Sequence, residues 1–121
     1  MQKTIFVVDD SATNLSVAEE ALDKQYQVIT LSSAAKMFAI LEKIIPDLIL
    51  LDIEMPEMNG FEAITRLKAG GPHAGIPVIF MTATSDAATE AQGKELGAVD
   101  FVIKPFSVPV LLDCVKNHLA E

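Results

Sequence analysis

Three aspartates, a threonine and a lysine are the residues of this sequence whose types suit one common chemistry: Asp9, Asp10, Asp52, Thr82 and Lys104. Crowded carboxylates repel each other and need a cation, and oxygen ligands without histidine or cysteine suit Mg²⁺ or Mn²⁺ rather than zinc. A lysine and a hydroxyl beside that cation would hold the oxygens of a phosphoryl group. The central carboxylate, Asp52, is then the candidate nucleophile, and its product would be an aspartyl phosphate.

Each of these polar residues stands at the end of an apolar run that predicts a β-strand. The runs are aliphatic and β-branched, as is typical of strands buried on both faces of a parallel sheet, and they cover residues 4–8, 48–51, 76–81 and 99–103. A less regular run at residues 26–31 predicts an outer strand. Because the carboxyl ends of parallel strands share one edge, where open α/β sheets bind ligands, we expect the five polar side chains to meet there.

Five helices are predicted to alternate with these strands, which gives an α/β fold of the (βα)5 type with a doubly wound, five-stranded parallel sheet. Ser11 or Thr13 would cap the first helix, which reaches roughly residue 24, and the apolar face of the second extends to Ile44. The third helix begins after Gly60, and the last has Pro109 in its first turn, where a missing N–H is tolerated.

The fourth helix is the poorest in large apolar residues, so we expect it to be the most loosely packed. Ser85 or Asp86 would cap it, and Gly97 suits its end because glycine readily adopts the left-handed backbone conformation. The side chains that this helix is predicted to bury are Ala87, Ala88, Ala91 and Leu96.

Length and composition restrict the kind of protein. The 121 residues suffice for one domain covering residues 1–121, and half of them are hydrophobic, which argues against disorder. A formal net charge of −8 disfavours nucleic acid and anionic membranes as direct partners. The single cysteine, Cys114, excludes an internal disulfide and is predicted to be a small core residue. The first residues do not form a signal peptide and no apolar run is long enough to span a bilayer, so we expect a cytoplasmic location.

Five short motifs, in this order and spacing, resemble those of the receiver domain of response regulators in two-component signalling. They are Val7-Val8-Asp9-Asp10-Ser11, Leu50-Leu51-Asp52-Ile53-Glu54-Met55-Pro56, Asn59-Gly60, Met81-Thr82-Ala83 and Val102-Ile103-Lys104-Pro105-Phe106. The resemblance covers essentially the whole chain. It implies the fold of the chemotaxis regulators, with strand order 2-1-3-4-5, and a cis peptide bond between Lys104 and Pro105.

The resemblance also implies a set of metal ligands around a phosphoryl acceptor. Asp52 would accept a phosphoryl group from a histidine kinase or a histidine phosphotransfer protein, so the domain would assist its own phosphorylation and dephosphorylation rather than act as an enzyme. Asp10 and Asp52 would bind Mg²⁺ directly, and Asp9 mostly through water. The backbone carbonyl of Glu54 would be the third protein ligand.

A switch is implied as well. Thr82 and Lys104 would bind phosphoryl oxygens, and the Thr82 hydroxyl would move toward the phosphate while the aromatic ring of Phe101 turns inward. Many relatives have Tyr where this chain has Phe101, so a role that needs a hydroxyl there is not expected. Glu54 and Thr84 would flank the site at positions that, in the family, tune how long the phosphate survives. The fourth helix, fifth strand and fifth helix would signal to an output domain or a downstream protein.

Three other functions compete with the receiver. A phosphatase of the haloacid-dehalogenase type also has a nucleophilic Asp after a buried strand. The acidic residue two positions later is normally Asp in those enzymes, whereas this chain has Glu54. Such enzymes also have no counterpart of the paired Asp9-Asp10 before the strand of the nucleophile. None of the 121 residues is expected to form the cap domain of such phosphatases. A flavodoxin-like flavin binder needs a phosphate loop after the first strand, where these two aspartates would repel phosphate. A receiver fold used only as an adaptor, without phosphorylation, would not need all five polar residues.

Other parts of the sequence bear on the output and on the choice of kinase. Residues 104–107 and 116–119 resemble those of receivers that precede cyclic-di-GMP enzymes, and the last helix lacks the arginines that transcription-factor relatives use to dimerise. The surface that selects the kinase would lie on the first helix, at residues 13–20.

Overall fold

The computed structural model describes residues 2–84 and 86–119, which form five strands alternating with five helices. The strands are β1 (Thr4–Val8), β2 (Gln27–Leu31), β3 (Leu48–Asp52), β4 (Val78–Thr82) and β5 (Asp100–Ile103). The helices are α1 (Ala12–Leu22), α2 (Ala34–Leu41), α3 (Gly60–Leu67), α4 (Ala87–Leu96) and α5 (Val108–His118).

All the strand pairs are parallel, and the order across the sheet is β2-β1-β3-β4-β5. The predicted fold class and strand order are therefore confirmed. Every residue of β3 and β4 is buried, as their apolar sequences predict, whereas the edge strand β2 is buried at one end only.

Two separate hydrophobic clusters lie on the two faces of the sheet, because successive strand residues point to opposite sides. One cluster joins alternate residues of the central strands to α2 and α3, and includes Phe6, Ile49, Phe80, Met37 and Ile64. The other joins the remaining strand residues to α1 and α5, and includes Val7, Leu50, Met81, Leu22 and Val115. Cys114 belongs to the second cluster, which confirms it as a buried core residue.

Several predicted ends of elements shift by a few residues. Ser11 caps α1 by accepting from the N–H of Asn14, but the helix ends at Leu22. The second helix ends at Leu41, and Ile44 lies beyond it with 38% of its surface exposed, so the prediction that Ile44 extends the apolar face was wrong. The chain turns there to enter β3, and the amide of Ile44 still donates to the carbonyl of Ile40 within that turn.

The fourth helix differs from its prediction in the face that it buries. Asp86 caps it by accepting from the N–H of Ala88, Ser85 lies outside the described residues, and Gly97 ends the helix with a φ of 114°, as predicted. The three alanines predicted to be buried are exposed, namely Ala87, Ala88 and Ala91, and Leu96 is half-buried. Every residue of α4 is described, and among them Gly93 alone is buried. The buried face of α4 could not be predicted from the spacing of apolar side chains, because the residue buried there, Gly93, has no side chain.

None of the helices in the described part of the chain combines the length and the apolar character that crossing a membrane would require.

Candidate functional site at the carboxyl edge of the sheet

The five polar residues singled out from the sequence lie at one edge of the sheet. Asp9 and Asp10 follow β1, Asp52 and Thr82 are the last residues of β3 and β4, and Lys104 follows β5. The register keeps the strand ends level, since β3 pairs with β4 as far as Asp52 and β4 pairs with β5 as far as Thr82. The parallel pairing thus collects residues that are up to 95 positions apart in the chain.

Lys104 bridges two buried carboxylates at this edge. Its Nζ donates to Oδ1 of Asp52 at 3.0 Å and to Oδ2 of Asp9 at 3.4 Å. The two carboxylate side chains are 1% and 0% exposed, and the lysine side chain is 15% exposed. The lysine backbone is also held, because its N–H donates to the carbonyl of Thr82 at 2.8 Å. The peptide bond between Lys104 and Pro105 is cis, which confirms the expectation from the resemblance.

One ammonium group shared between two buried carboxylates leaves an excess of negative charge. Burial, together with the charge of Asp9, raises the pKa of Asp52 to about 6, although Lys104 and the N–H of Glu54 stabilise its ionised form. Burial would lower the pKa of Lys104, but its hydrogen bond to Asp52 and the two negative charges outweigh burial and place that pKa above its usual value. The site therefore favours a further cation.

Three carboxylates at this edge could bind a metal ion. Asp9, Asp10 and Asp52 each offer one oxygen, and these oxygens lie within 4.8 Å of one another. Asp10 is exposed, so solvent and ions reach the set from its side. The donors are all carboxylate oxygens, which are the ligands that Mg²⁺ and Mn²⁺ prefer, so the residues present fit such an ion.

The same local hydrogen bond orients the side chain at the end of three strands. In each case a side-chain oxygen accepts from the backbone N–H two residues later, which is the geometry of Asx and related turns. The pairs are Asp9 Oδ1 with the N–H of Ser11 at 2.9 Å, Asp52 Oδ1 with that of Glu54 at 3.3 Å, and Thr82 Oγ1 with that of Thr84 at 3.2 Å.

The comparisons with known proteins agree with this geometry. The sequence profile of the response regulator receiver domain family matches residues 5–116. The chain belongs to this family. Among its relatives, a probable cyclic di-GMP phosphodiesterase of Vibrio cholerae is 43% identical over 118 residues, which cover 98% of this receiver and 27% of that protein. The polar-differentiation response regulator DivK of Brucella ovis is 30% identical over 122 residues, which cover 100% of the receiver and 99% of DivK.

Solved structures show the same fold. The structure of the chemotaxis protein CheY4 of Vibrio cholerae matches this receiver with a TM-score of 0.93 and 27% identity, over 98% of the receiver and 100% of that chain. The receiver spans about a quarter of the length of the phosphodiesterase relative and of the response regulator PleD of Caulobacter vibrioides, at 27% and 26%.

An aromatic row runs from the third helix to the last strand of the receiver. The ring of Phe80 on β4 meets that of Phe61 on α3 edge to face, with 5.5 Å between centroids. The ring of Phe80 also packs against the tilted ring of Phe101 on β5, with 5.8 Å between centroids. Phe101, the aromatic residue expected to move, is half-buried at the end of this row.

Gly60 supports the loop that carries Asp52, whereas the sequence marked it only as part of the Asn59-Gly60 motif at the start of the third helix. Its N–H donates to the carbonyl of Ile53 at 2.8 Å, and its α-carbon packs so closely on the backbone of Asp52 and Ile53 that a β-carbon would not fit. The helix start is fixed by a capping box, in which Asn59 and Glu62 each accept the other's backbone N–H. An Asn-Gly pair at the start of an apolar helix was the signal that could have revealed this role.

Proposed function

We propose that Asp52 of this receiver accepts a phosphoryl group from a phosphohistidine on a histidine kinase or a histidine phosphotransfer protein. The observation that carries the proposal is the contact of one lysine, Lys104, with two buried carboxylates, Asp52 and Asp9. A salt bridge that only stabilised the fold would gain nothing from a second carboxylate, because uncompensated buried charge is costly. Excess negative charge around one lysine would attract a divalent cation, and that cation together with the lysine would then offset the negative charge of a phosphoryl group.

The proposed step joins an oxygen of Asp52 to phosphorus. A carboxylate oxygen attacks the phosphorus atom, the P–N bond to the donor imidazole breaks, and the electron pair remains on the imidazole nitrogen, which takes up a proton. The product is an aspartyl phosphate, and no group is oxidised or reduced. Because burial raises the pKa of Asp52 only to about 6, most of this carboxyl is ionised near neutral pH and can act as the nucleophile.

Lys104 and Thr82 would hold the oxygens of the phosphoryl group. Nζ of Lys104 already lies 3.0 Å from Oδ1 of Asp52, so it has only to exchange that oxygen for one on the attached phosphoryl group. The Thr82 hydroxyl accepts the N–H of Thr84, which leaves its own proton available for donation to a phosphoryl oxygen. Both contacts would place positive charge or a hydrogen-bond donor where negative charge develops.

A set of oxygen ligands beside the nucleophile would hold Mg²⁺, with Mn²⁺ as a substitute. Asp10 and Asp52 would bind the ion directly, Asp9 mostly through water, and the backbone carbonyl of Glu54 would complete the protein ligands. When bound, the ion neutralises charge on the carboxylates and on the phosphoryl oxygens. The chain keeps this set together through burial of two carboxylates and the N–H donors of Ser11 and Glu54.

Phosphorylation would switch the surface formed by α4, β5 and α5. The Thr82 hydroxyl would leave the N–H of Thr84 for the phosphate, and the ring of Phe101 would turn inward. Glu54 and Thr84 have exposed side chains beside the site, where they would tune the lifetime of the phosphate by their effect on an attacking water.

The receiver would pass this change to an output domain or to a downstream protein. The phosphodiesterase relative extends far beyond the matched region, whereas DivK is covered almost completely. Two arrangements therefore occur among the relatives: a receiver region within a longer protein, and a receiver region that makes up almost the whole protein. We propose that residues 1–121 form one receiver unit in either arrangement and that it meets its phosphohistidine donor in the cytoplasm.

Intact-mass spectrometry after incubation with acetyl phosphate tests the proposal. With Mg²⁺ present we expect the mass of one added phosphoryl group, and we expect the adduct to be removed by hydroxylamine, which cleaves acyl phosphates. The adduct should be absent without Mg²⁺ and in Asp52→Asn, whose amide has nearly the same shape but is not a nucleophile. Incorporation in Asp52→Asn at the wild-type level would show that another residue is the acceptor.

Two further assays distinguish the other candidate functions. Steady turnover of small phosphomonoesters would favour a phosphatase of the haloacid-dehalogenase type. A protein that takes up neither phosphoryl groups nor the mimic beryllofluoride would be an adaptor that does not depend on phosphorylation.

A further inference from the structure

Gly93 leaves a gap in α4 that the ring of Phe101 fills. A β-carbon on Gly93 would lie 2.6 Å from Cζ and 2.9 Å from Cε2 of Phe101, and 3.0 Å from Cδ2 of Phe80. Real β-carbons essentially never come within 3.0 Å of such atoms, so a larger residue here would displace the Phe101 ring. We call this gap the Gly93 notch.

The notch is an exception to what the local sequence of a helix favours. Glycine is among the weakest helix formers, because it loses the most backbone freedom on folding. Yet Gly93 stands inside α4 at the position where this helix meets the sheet, and it alone is buried among the residues of α4. Because real proteins break local rules chiefly at functional sites, the notch calls for a functional explanation.

We propose that Gly93 is a positioning residue for Phe101, and that the notch sets the balance of the switch at Asp52. The bare α-carbon gives the ring a resting place against α4, while a β-carbon there would drive the ring out of the notch. The ring would then turn inward, because outward movement would expose its apolar surface to water. This inference rests on the proposed function, in which the ring turns inward on phosphorylation.

Two consequences follow for the switch. A ligand favours whichever state it binds more tightly, so a change that destabilises the state with the ring in the notch strengthens binding of a phosphoryl group or its mimic. The coupling is reciprocal, so phosphorylation empties the notch and removes the main buried contact of α4. Since Gly93 is the residue that α4 buries, the helix would then be held less tightly against the sheet.

The substitution Gly93→Ala tests the notch, and the folded helix should tolerate it. The Gly93 carbonyl accepts the N–H groups of Gly97 and Ala98 at the end of α4, and these bonds involve backbone atoms only. Alanine also favours the helix more than glycine does. The matched control is Thr89→Ala, which raises helix propensity in the same helix without adding an atom near the ring.

The measurement is a titration with beryllofluoride and Mg²⁺, followed by the amide NMR signals of the site. We expect Gly93→Ala to bind the mimic about threefold more tightly or better, and Thr89→Ala to bind it as the wild type does. In the Phe101→Ala background the Phe101 ring is absent and only the contact with Cδ2 of Phe80 at 3.0 Å remains, so Gly93→Ala should have a much smaller effect. Equal or weaker binding by Gly93→Ala, or an effect of the same size without the Phe101 ring, would overturn the inference.

The titration also separates this inference from the proposed function. A wild-type protein that does not bind beryllofluoride would overturn the function at Asp52, and the inference with it. Binding by the wild type with an unchanged affinity in Gly93→Ala would overturn the role of the notch alone.

Discussion

Nε2 of His118 lies 2.9 Å from Oδ2 of Asp100, so the last residue of α5 is tied to the first residue of β5. Burial would raise the pKa of Asp100. The hydrogen bonds from His118, from the backbone N–H of Phe101 and from Cys114 outweigh burial and lower this pKa. This carboxylate is therefore favoured in its charged form in the folded protein.

The lowered pKa of Asp100 predicts how stability depends on pH. The carboxyl binds its proton less tightly in the folded than in the unfolded state. Its contribution to the free energy of unfolding is therefore present above the unfolded pKa of about 4 and is lost as the pH falls through the folded pKa. Asp100→Asn should lower the free energy of unfolding by less than about 1 kcal/mol near pH 7, since the pair is partly exposed. The difference from wild type should shrink near pH ~3.

Urea unfolding at the two pH values, followed by circular dichroism, checks this prediction. Asp113→Asn is the control, because Asp113 is exposed on α5, the helix that carries His118. A difference between Asp100→Asn and wild type that stays constant from neutral to acid pH would contradict the prediction.

Gly60→Ala should impair the loop that carries Asp52. A β-carbon on Gly60 would lie 2.6 Å from the carbonyl oxygen of Asp52 and 2.8 Å from Cα of Ile53, and backbone atoms cannot yield as the end of a side chain can. We expect a loss of about 1–3 kcal/mol in stability, typical of overpacking, and slower phosphoryl uptake from acetyl phosphate. The control is Gly75→Ala, because a β-carbon there has no atom within 4 Å.

Uptake rates should be compared at a temperature where both glycine variants are fully folded. Unchanged uptake in Gly60→Ala would show that the loop shifts without disturbing the nucleophile.

Cys114 should be nearly unreactive in the folded protein. Burial, the negative charge of Asp100 and the hydrogen bond to its carboxylate raise the pKa of this thiol to about 12. Since the thiolate is the reactive form, only about 10⁻⁴ of the thiol is ionised near pH ~8, and alkylation by iodoacetamide should be at least ~100-fold slower than in denaturant. Asp100→Asn should speed the reaction of the folded protein. A wild-type rate close to the denatured rate would contradict the burial of this thiol.

Mg²⁺ should stabilise the wild type and much less the variant Asp52→Asn. Without divalent cations, the buried carboxylates of Asp9 and Asp52 share the single ammonium of Lys104. Replacing the Asp52 carboxylate with the neutral amide of Asn should therefore raise the midpoint of thermal unfolding. Adding Mg²⁺ should raise the wild-type midpoint, since a ligand that binds only the folded state stabilises it. Thermal scans in chelator and in Mg²⁺ measure both effects, with Glu95→Gln as an exposed control. Equal responses of the wild type and Asp52→Asn to Mg²⁺ would argue against the metal site.

The strand ends were predictable because a short apolar run followed by a polar residue has one physical interpretation in a parallel sheet. The runs before Asp52 and Thr82 place both residues at the edge whatever the details of packing. The predicted start of β4 at Ile76 was wrong. Pro77 has no N–H to donate, and the strand starts at Val78.

The packing of helices was harder to predict because it depends on partners that are distant in sequence. Ile44 continues the apolar spacing of α2, yet the chain turns before it. Gly93 is buried because a ring on β5 occupies the place of its side chain, and no pattern within α4 contains that information. The roles of Gly60 and Gly93 both arise from the absence of atoms, whereas a periodic pattern records only the side chains that are present.

The two hydrophobic clusters on opposite faces of the sheet have a consequence for how such a domain can diversify. The cluster beneath α1 and α5 and the cluster beneath α2 and α3 share no residue, and the backbone of the sheet lies between them. Substitutions that repack one face therefore leave side-chain contacts on the other unchanged. Over evolutionary time, the surfaces on the two faces can acquire different partners independently, while the polar residues at their common edge stay the same.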